Sequence, residues 1–317
     1  MIDVAYHKSK TCSVIGYKNH AKKIIKFINE NKNIHIKNIY HPQKKLNNKF
    51  TNSLNDVLES DAIFIICPTE KHFFYLNYLQ KKKYNGYIFC EKLPVSRIED
   101  VKKLRKFSYK KIYFNFNLEF SELAYQLKNK RFGKLKRLNI EDSKPFLLKK
   151  NINKNWRLKD FKILITNILP HYLYLIRKYL DNNSFKILTG TKNENTKIID
   201  NISMHIYSKN YLINIMLSYS DRLKKRYTLN FTKAAVEIDD DKTKIFKPII
   251  KLNSKKRFIN SPIYSVKKNI DMNYISNKKS VDFFIEKMKN NSFFLKSDYF
   301  LSLEVNKEIL GIKIKLI

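Results

Sequence analysis

The stretch TCSVIGYKNHA, residues 11–21, decides the fold of the first part of the chain. Its apolar run ends at Gly16, and from Asn19 to Asn31 apolar side chains recur at helical spacing. A strand that closes in glycine and passes into an amphipathic helix is typical of the start of a doubly wound α/β sheet. Gly16 permits the tight turn, and Ala21 lets the helix pack closely against the strand.

Strands and helices continue to alternate as far as residue 118. The sequence predicts further strands at 35–40, 62–67, 87–91 and 111–116, and helices at 53–60, 69–83 and 96–107. Ser53, Thr69 and Ser96 are expected to cap the three helices, and Glu99 completes a capping box with Ser96. Nearly continuous apolar strands separated by helices indicate a parallel sheet covered on both faces. We therefore expect a Rossmann dinucleotide-binding domain at residues 1–118.

The alternation of strands and helices ends at about residue 130, and strand-like segments then follow one another closely. They are predicted at 135–140, 185–188, 202–207, 211–219, 227–231 and 234–238. The sequence Ser208-Lys209-Asn210 is expected to turn a hairpin. Helices are predicted at 167–180, 280–289 and 298–310. This pattern favours an α+β domain at residues 119–317, in which a mostly antiparallel sheet carries helices on one face.

The formal net charge of +36 is the strongest feature of the composition. Lysine and arginine total 64, but only nine are arginine, whose bidentate fork suits the recognition of phosphates and base edges. Residues with A/T-rich codons, such as lysine, asparagine and isoleucine, are abundant, whereas glycine is scarce. We interpret the charge mainly as compositional drift and expect no specific nucleic-acid partner. A basic nucleic-acid binder is the less favoured alternative.

Other features of the composition narrow the class of protein. No apolar stretch approaches the length of a bilayer-spanning helix, and MIDVAYHKSK at the N-terminus lacks the apolar region of a secretory signal. Cys12, Cys67 and Cys90 are never spaced as C-x-x-C, and the histidines show no metal-ligand spacing. We therefore expect a cytoplasmic protein with no membrane partner and no bound metal.

The turn after the first strand carries part of a dinucleotide fingerprint. The pattern G-x-G-x-x-G/A keeps Gly16 and Ala21, while Lys18 stands where a second glycine would let the backbone approach a pyrophosphate. Lys18, Asn19 and His20 are therefore candidate contacts to a cofactor. A plain turn between strand and helix is the alternative.

The end of the second strand bears on the choice of cofactor. NAD enzymes often place a carboxylate there, against the ribose, but this chain has His41 between Tyr40 and Pro42. The missing carboxylate favours NADP, with NAD still open, and makes His41 a candidate contact to the cofactor.

Two polar segments follow later strands, at the edge where a doubly wound sheet binds its ligands. Pro68, Thr69 and His72 follow one strand, and Glu91 and Lys92 end the next. A lysine in a partly buried cleft can hold an alkoxide-like oxygen, or its pKa can shift enough for it to move a proton. Both segments are therefore candidate parts of a site.

The order of these motifs resembles the glucose-fructose oxidoreductase and inositol dehydrogenase (Gfo/Idh/MocA) family. VIG-x4-A at residues 14–21 is followed by PT-x2-H at 68–72 and by CEK-x-P at 90–94. Three later pieces fit the same order, namely FNFNLEFS at 114–121, NWR at 155–157 and ILPHYLYLI at 168–176. The resemblance thus extends over essentially the whole chain.

The resemblance implies roles for individual residues. Lys92 matches the lysine near the nicotinamide and the reacting carbinol, and His171 matches the general acid/base. Asn167 lies four residues before this histidine, where many members have an aspartate. Cofactor contacts are implied for Gly16, Pro68, Thr69, His72 and Glu91, and substrate contacts for Asn117, Trp156 and Arg157. The alternatives are a packed helix histidine for His171 and an anchor at the domain interface for Trp156.

The implied activity is NAD(P)-dependent hydride transfer at a carbinol of a sugar, cyclitol or sugar-derived metabolite. Hydride leaves such a carbon only as the hydroxyl proton is removed, so a base of near-neutral pKa is needed, and histidine supplies one. A homo-oligomer formed through the C-terminal sheet is also expected.

Some positions depart from the family pattern. Leu93 replaces the proline of E-K-P, so any cis Lys-Pro bond is lost or moved. Asn167 cannot carry the charge of a carboxylate, and Glu119 stands where an arginine is frequent. These departures keep open a catalytically impaired relative that binds a cofactor or another ligand.

Overall fold

The structure is a computed structural model, and it describes residues 9–43, 48–147, 160–180, 184–239, 242–247, 251–252, 254, 258–259, 262–267 and 272–317. The chain divides into two compact units. The first comprises Met1–Asn117 and Asn277–Gly311, and the second comprises Leu118–Ser276 and Ile312–Ile317.

The first unit contains a parallel sheet that, among the described residues, has six strands. Its strands are β1 (Lys10–Ile15), β2 (Ile34–Tyr40), β3 (Phe50–Thr51), β4 (Ala62–Ile65), β5 (Tyr87–Glu91) and β6 (Ile112–Asn115). Their order is β3-β2-β1-β4-β5-β6, and every neighbouring pair is parallel. The order reverses between β1 and β4, where folds of this type bind their ligands. The Rossmann topology indicated by the sequence is confirmed.

Helices α1 (Asn19–Glu30), α2 (Thr69–Lys81) and α3 (Ile98–Leu104) connect these strands, and a 3₁₀ helix covers Leu54–Glu59. Ser53 is the N-cap residue of the 3₁₀ helix, as expected, but it makes no side-chain cap bond. Pro68 and Arg97 are the N-cap residues of α2 and α3 in place of Thr69 and Ser96, and neither makes a side-chain cap bond. Because α3 begins at Ile98, Glu99 lies too early to close a capping box with Ser96.

The second unit has a mostly antiparallel sheet of nine strands within the described residues. Its strands and small hairpin are β7 (Leu135–Ser143), β8 (Ser184–Lys192), β9 (Ile199–Ser208), β10 (Leu212–Ser218), β11 (Lys224–Phe231), β12 (Ala235–Asp239), β13 (Lys242–Phe246), the hairpin pair β14 (Lys251–Leu252) and β15 (Phe258–Ile259), then β16 (Tyr264–Lys267) and β17 (Lys315–Leu316). The order is β16-β13-β12-β11-β7-β10-β9-β8-β17, with β7–β10 and β8–β17 parallel. The predicted hairpin joins β9 to β10.

Side chains alternate across this second sheet. On β9, Ile202, Met204 and Ile206 are buried, whereas Ser203 and His205 between them are only half-buried. Helices α4 (Glu122–Lys128), α5 (Ile163–Asn167) and α6 (Leu169–Tyr179) belong to this unit. The alternation confirms a sheet with one covered face and one open face.

The helix expected at 167–180 is α6, and a separate short helix, α5, ends at Asn167, with Ile168 between the two. Pro170 lies in the first turn of α6. Proline has no N–H to donate and its ring clashes with the carbonyl four residues earlier, so a continuous helix through this point is disfavoured.

Two C-terminal helices, α7 (Met272–Lys289) and α8 (Lys296–Gly311), belong to the first unit from Asn277 onward. The expected division into 1–118 and 119–317 therefore needs this correction. Packing explains it, because the Phe284 ring lies 5.0 Å from that of Phe64 and 5.4 Å from that of Phe89, on the central strands of the parallel sheet. On α8, the Tyr299 hydroxyl donates to Leu104 O of α3 at 2.7 Å.

Candidate active site

Gly16 follows β1 in a backbone conformation that L side chains rarely adopt. Its φ is +116°, and a Cβ atom here would lie 2.3 Å from the carbonyl oxygen of Ile66. The Gly16 N–H donates to Tyr40 O at 3.2 Å. The turn is therefore held close to the carboxyl ends of both strands that flank β1.

Helix α1 begins beyond this turn with no capping side chain. Lys18 is its extended N-cap residue, and the first turn contains no acidic residue. The side chains of Lys18, Asn19 and His20 are exposed, so the lysine lies at the surface and does not fill the turn. Uncapped N–H groups at the positive end of a helix suit an anion such as a pyrophosphate.

A row of hydrogen bonds starts at His20 and runs into the first unit. His20 Nε2 lies 2.8 Å from Glu91 Oε1, and Asn115 Nδ2 donates to the same oxygen at 2.7 Å. The Ser280 hydroxyl donates to Asn115 Oδ1 and lies 3.0 Å from the Tyr113 hydroxyl. This His20–Ser280 row joins the start of α1, the ends of β5 and β6, and α7.

The two ionisable groups at the outer end of the row stabilise each other's charge. Burial alone would raise the pKa of Glu91, but the charge of His20 and the hydrogen bonds from His20 and Asn115 outweigh it, so this pKa is lowered. The Glu91 charge raises the pKa of His20 against the opposing effects of burial, Lys92 and Lys23. The His20 side chain is 46% exposed and that of Glu91 10%, so the pair reaches from the interior to solvent.

Lys92 follows Glu91 and begins a segment, Lys92–Val95, that two helices hold in place. On α2, His72 Nδ1 lies 2.7 Å from Leu93 O. On α8, the buried Asn306 side chain donates to Val95 O at 3.0 Å and accepts from Val95 N at 2.8 Å. Lys92 itself is half-buried. The backbone around this lysine is thus fixed on either side of Pro94.

The peptide bond between Lys92 and Leu93 is cis. The sequence indicates that such a bond is lost or moved along with the motif proline, and the structure corrects that expectation. Leu93 is buried, at 2% exposure.

His72 contacts two backbone carbonyl oxygens in the interior of the first unit. It is fully buried, and its Nε2 lies 2.9 Å from Cys67 O while Nδ1 faces Leu93 O. Burial lowers its pKa. Because both ring nitrogens face backbone carbonyls, the geometry favours a positioning role over the cofactor contact that the sequence indicates. Pro68 and Thr69, at the start of α2, are half-buried.

Two further candidates of the first unit lie at its edges. His41 is half-buried after β2, where its N–H donates to Thr51 O at 3.1 Å and its Nδ1 accepts from Gln43 N at 3.2 Å. Asn117 follows β6, is 8% exposed and begins a 3₁₀ helix that extends to Phe120.

The second unit holds the two catalytic candidates His171 and Asn167. His171 is half-buried near the start of α6. Asn167 is the last residue of α5, and its Nδ2 donates to the Tyr219 hydroxyl at 2.9 Å. The sequence suggests that these two residues share one continuous helix. The break at Ile168 shows that they do not.

Glu119 forms a largely buried ion pair with Lys178 of α6, and each side chain is 16% exposed. The Tyr174 hydroxyl donates to the same carboxylate at 3.4 Å. The acidic side chain at this position is therefore balanced within the second unit. Trp156 and Arg157 lie outside the described residues.

Asn115, Ser280 and Asn306 are site neighbours that the sequence does not single out. Each is a polar residue within an apolar segment, and each is no more than 1% exposed. A buried polar residue needs a partner, which is the one signal that could have drawn attention to them. Within the described ranges no group of three or more His, Cys, Asp or Glu could hold a metal ion, and no helix is long and apolar enough to span a bilayer.

Solved structures share this combination of a parallel sheet in one unit and an open, mostly antiparallel sheet in the other. The chain matches a myo-inositol dehydrogenase from Corynebacterium glutamicum at 18% identity and a TM-score of 0.72, with 96% of each chain covered. It matches a Gfo/Idh/MocA family oxidoreductase from Vibrio cholerae at 14% identity and a TM-score of 0.72, covering 94% of this chain and 95% of that one.

A levoglucosan dehydrogenase, solved in complex with NADH and levoglucosan, is similar at 11% identity and a TM-score of 0.77, with 96% of each chain covered. These matches confirm the fold class over nearly the whole chain. No protein-family model and no curated protein sequence matches it.

Proposed function

We propose that this chain is a nicotinamide-dependent oxidoreductase of the Gfo/Idh/MocA type, acting at a carbinol of a sugar, cyclitol or sugar-derived metabolite. The shared fold carries the proposal, because it extends over 96% of the chain at a TM-score of 0.77. The segment Lys92–Val95 adds support, since it follows a central strand at the ligand-binding edge of the parallel sheet.

The first unit has the features that a dinucleotide needs. The positive φ of Gly16 and the uncapped start of α1 fit a pyrophosphate, and Lys18 adds a positive charge at the surface. When bound, a nicotinamide cofactor supplies the hydride acceptor or donor. We favour NADP because β2 ends in Tyr40 and His41 without a carboxylate. Pro68, Thr69 and Glu91 are proposed to border it.

The chain itself has to handle the proton. We propose that His171 acts as the general acid/base for the hydroxyl proton of the carbinol, and we propose an orienting role for Lys92. Asn167 would then act through its hydrogen bond to Tyr219, as a neutral group in the place of a carboxylate. Asn117, Trp156 and Arg157 are proposed to contact the substrate.

Calorimetry with NADH and NADPH, followed by turnover assays over a panel of sugars and cyclitols, tests this proposal. We expect binding of at least one cofactor, and we expect Lys92→Ala to lower kcat by about 100-fold or more. Lys81→Ala is the matched control, because Lys81 is an exposed lysine in the last turn of α2. Absence of binding by either cofactor at millimolar concentration contradicts the proposal.

A catalytically impaired relative is the second candidate, and the amide side chain of Asn167, where many family members have a carboxylate, favours it. A neutral amide cannot support an imidazolium as a carboxylate would. Cofactor binding without turnover over the whole panel would favour this candidate, whereas activity that is lost in Lys92→Ala would exclude it.

The open sheet face of the second unit supports a proposed homo-oligomer. Ile187, Tyr207 and Met216 lie on that face and are 39%, 44% and 44% exposed. Light scattering after size exclusion tests this, and a monomer at micromolar concentration would contradict it. We further propose a cytoplasmic location, which microscopy of the tagged chain would test.

A further inference from the structure

The His20–Ser280 row brings a charged pair to the place where the proposed cofactor would bind. His20 is the second residue of α1, and its ring is 2.8 Å from a carboxylate oxygen of Glu91, the residue before Lys92. The start of α1 and the end of β5 are therefore in direct contact through these two side chains.

Glu91 presents an electrostatic problem for an anionic ligand at this edge. It is a buried carboxylate, and Asn115, its other hydrogen-bond donor, is neutral. A negative charge in contact with the first turn of α1 opposes a pyrophosphate bound at that turn. Protonated His20 compensates the charge, whereas neutral His20 leaves it in place.

We propose that His20 is a positioning residue that makes binding of the nicotinamide cofactor depend on its own protonation, by neutralising Glu91 beside Lys92. This inference rests on the proposed function and assigns a regulatory role within the same site. The charged groups around His20 are Glu91 and Lys92 at the end of β5, and Lys23 on α1 itself.

The direction of the pH dependence follows from the two pKa values. Glu91 raises the pKa of His20, and His20 helps to lower that of Glu91, so both groups are charged between the two values. As the pH rises through the His20 pKa, the imidazole becomes neutral and Glu91 keeps its charge, so cofactor affinity falls. As the pH falls through the Glu91 pKa, the carboxyl becomes neutral and His20 keeps its charge, so the opposition to the cofactor is absent.

Thermodynamic linkage sets the size of the effect. A cofactor that binds the protonated form more tightly raises the His20 pKa, and a rise of about one unit corresponds to about a tenfold difference in affinity between the two forms. Binding at a pH near the His20 pKa must then take up protons, which calorimetry in buffers of different ionisation enthalpy detects.

The test measures NADH and NADPH affinity across pH for the wild-type chain, His20→Gln and Glu91→Gln. Gln keeps a donor near the position of His Nε2 but cannot titrate, so between the Glu91 and His20 pKa values of the wild type the first variant should bind about tenfold more weakly than wild type. Its affinity should not change at the pH where His20 of the wild type titrates. The second variant has no carboxylate for His20 to neutralise, so its affinity should fall less than that of the wild type as the pH rises through the His20 pKa. His35→Gln, at an exposed histidine on β2, is the matched control and should keep the wild-type profile.

A titration of the His20 ring protons by NMR, with no cofactor present, separates the possible failures. We expect the His20 pKa to lie above its ordinary value of 6.5 and to fall in Glu91→Gln. An unshifted pKa overturns the charged pair. A shifted pKa with cofactor affinity that is independent of pH overturns this inference alone, and wild-type protein that binds no cofactor overturns the proposed function together with it.

Discussion

Gly16 shows at the scale of one residue how the fold restricts the turn after β1. Its backbone lies in the left-handed half of φ space, and the carbonyl of Ile66 occupies the space that a side chain would need. Both constraints arise from the fold of the first unit itself. The glycine can therefore be tested in the absence of any ligand.

We expect Gly16→Ala to lower the free energy of unfolding of the first unit by about 2 kcal/mol or more, since it adds both backbone strain and a clash. Gly311→Ala is the control, because a Cβ at Gly311 meets nothing within 4 Å. It should change stability by about 0.5 kcal/mol or less. Urea unfolding followed by circular dichroism measures the free energy of unfolding of both variants. Equal effects would show that the turn at Gly16 tolerates a side chain.

At the scale of elements, the segment Lys92–Val95 depends on helices that are distant in sequence. His72, on α2, contacts the carbonyl oxygen of Leu93. Asn306, on α8, forms two hydrogen bonds with the backbone of Val95. The catalytic role proposed for Lys92 requires such support, because small displacements of reacting groups cost much of the rate.

We expect Asn306→Ala to destabilise this segment by about 2 kcal/mol, because both the N–H and the C=O of Val95 lose their partner in the interior. Hydrogen exchange at the Val95 amide should speed up accordingly. Lys307→Ala, at the exposed neighbour on the same helix, should leave that exchange rate unchanged. Unchanged protection of the Val95 amide in Asn306→Ala would show that Asn306 does not stabilise this segment.

The sequence predicts correctly those parts of the site that depend on a pattern within a short window of residues. The strand at 87–91 and the helix start at Asn19 are predicted correctly, because apolar periodicity and the glycine turn lie within one short window. Asn115 meets Ser280 across 165 positions, and Val95 meets Asn306 across 211. No local pattern encodes such pairs, and the domain division missed α7 and α8 for the same reason.

At the scale of the whole molecule, the net charge of +36 suggests one class of partner, and the proposed function suggests another. The charge alone would favour nucleic acid, whereas the fold is shared with dehydrogenases over nearly the whole chain. A bound dinucleotide would use only a few of the 64 basic residues. The location of ligand binding on the chain therefore decides between these partners.

Hydrogen–deuterium exchange with and without NADH or NADPH tests whether a nicotinamide cofactor binds at the carboxyl edge of the parallel sheet. We expect protection at residues 16–21, 66–72 and 91–95, where the turn after β1 and the two later strand ends lie at one edge of the parallel sheet. The rest of the parallel sheet should exchange as it does without ligand. No protection by either cofactor, or protection confined to segments outside this edge, would contradict the proposal that the chain is a nicotinamide-dependent oxidoreductase.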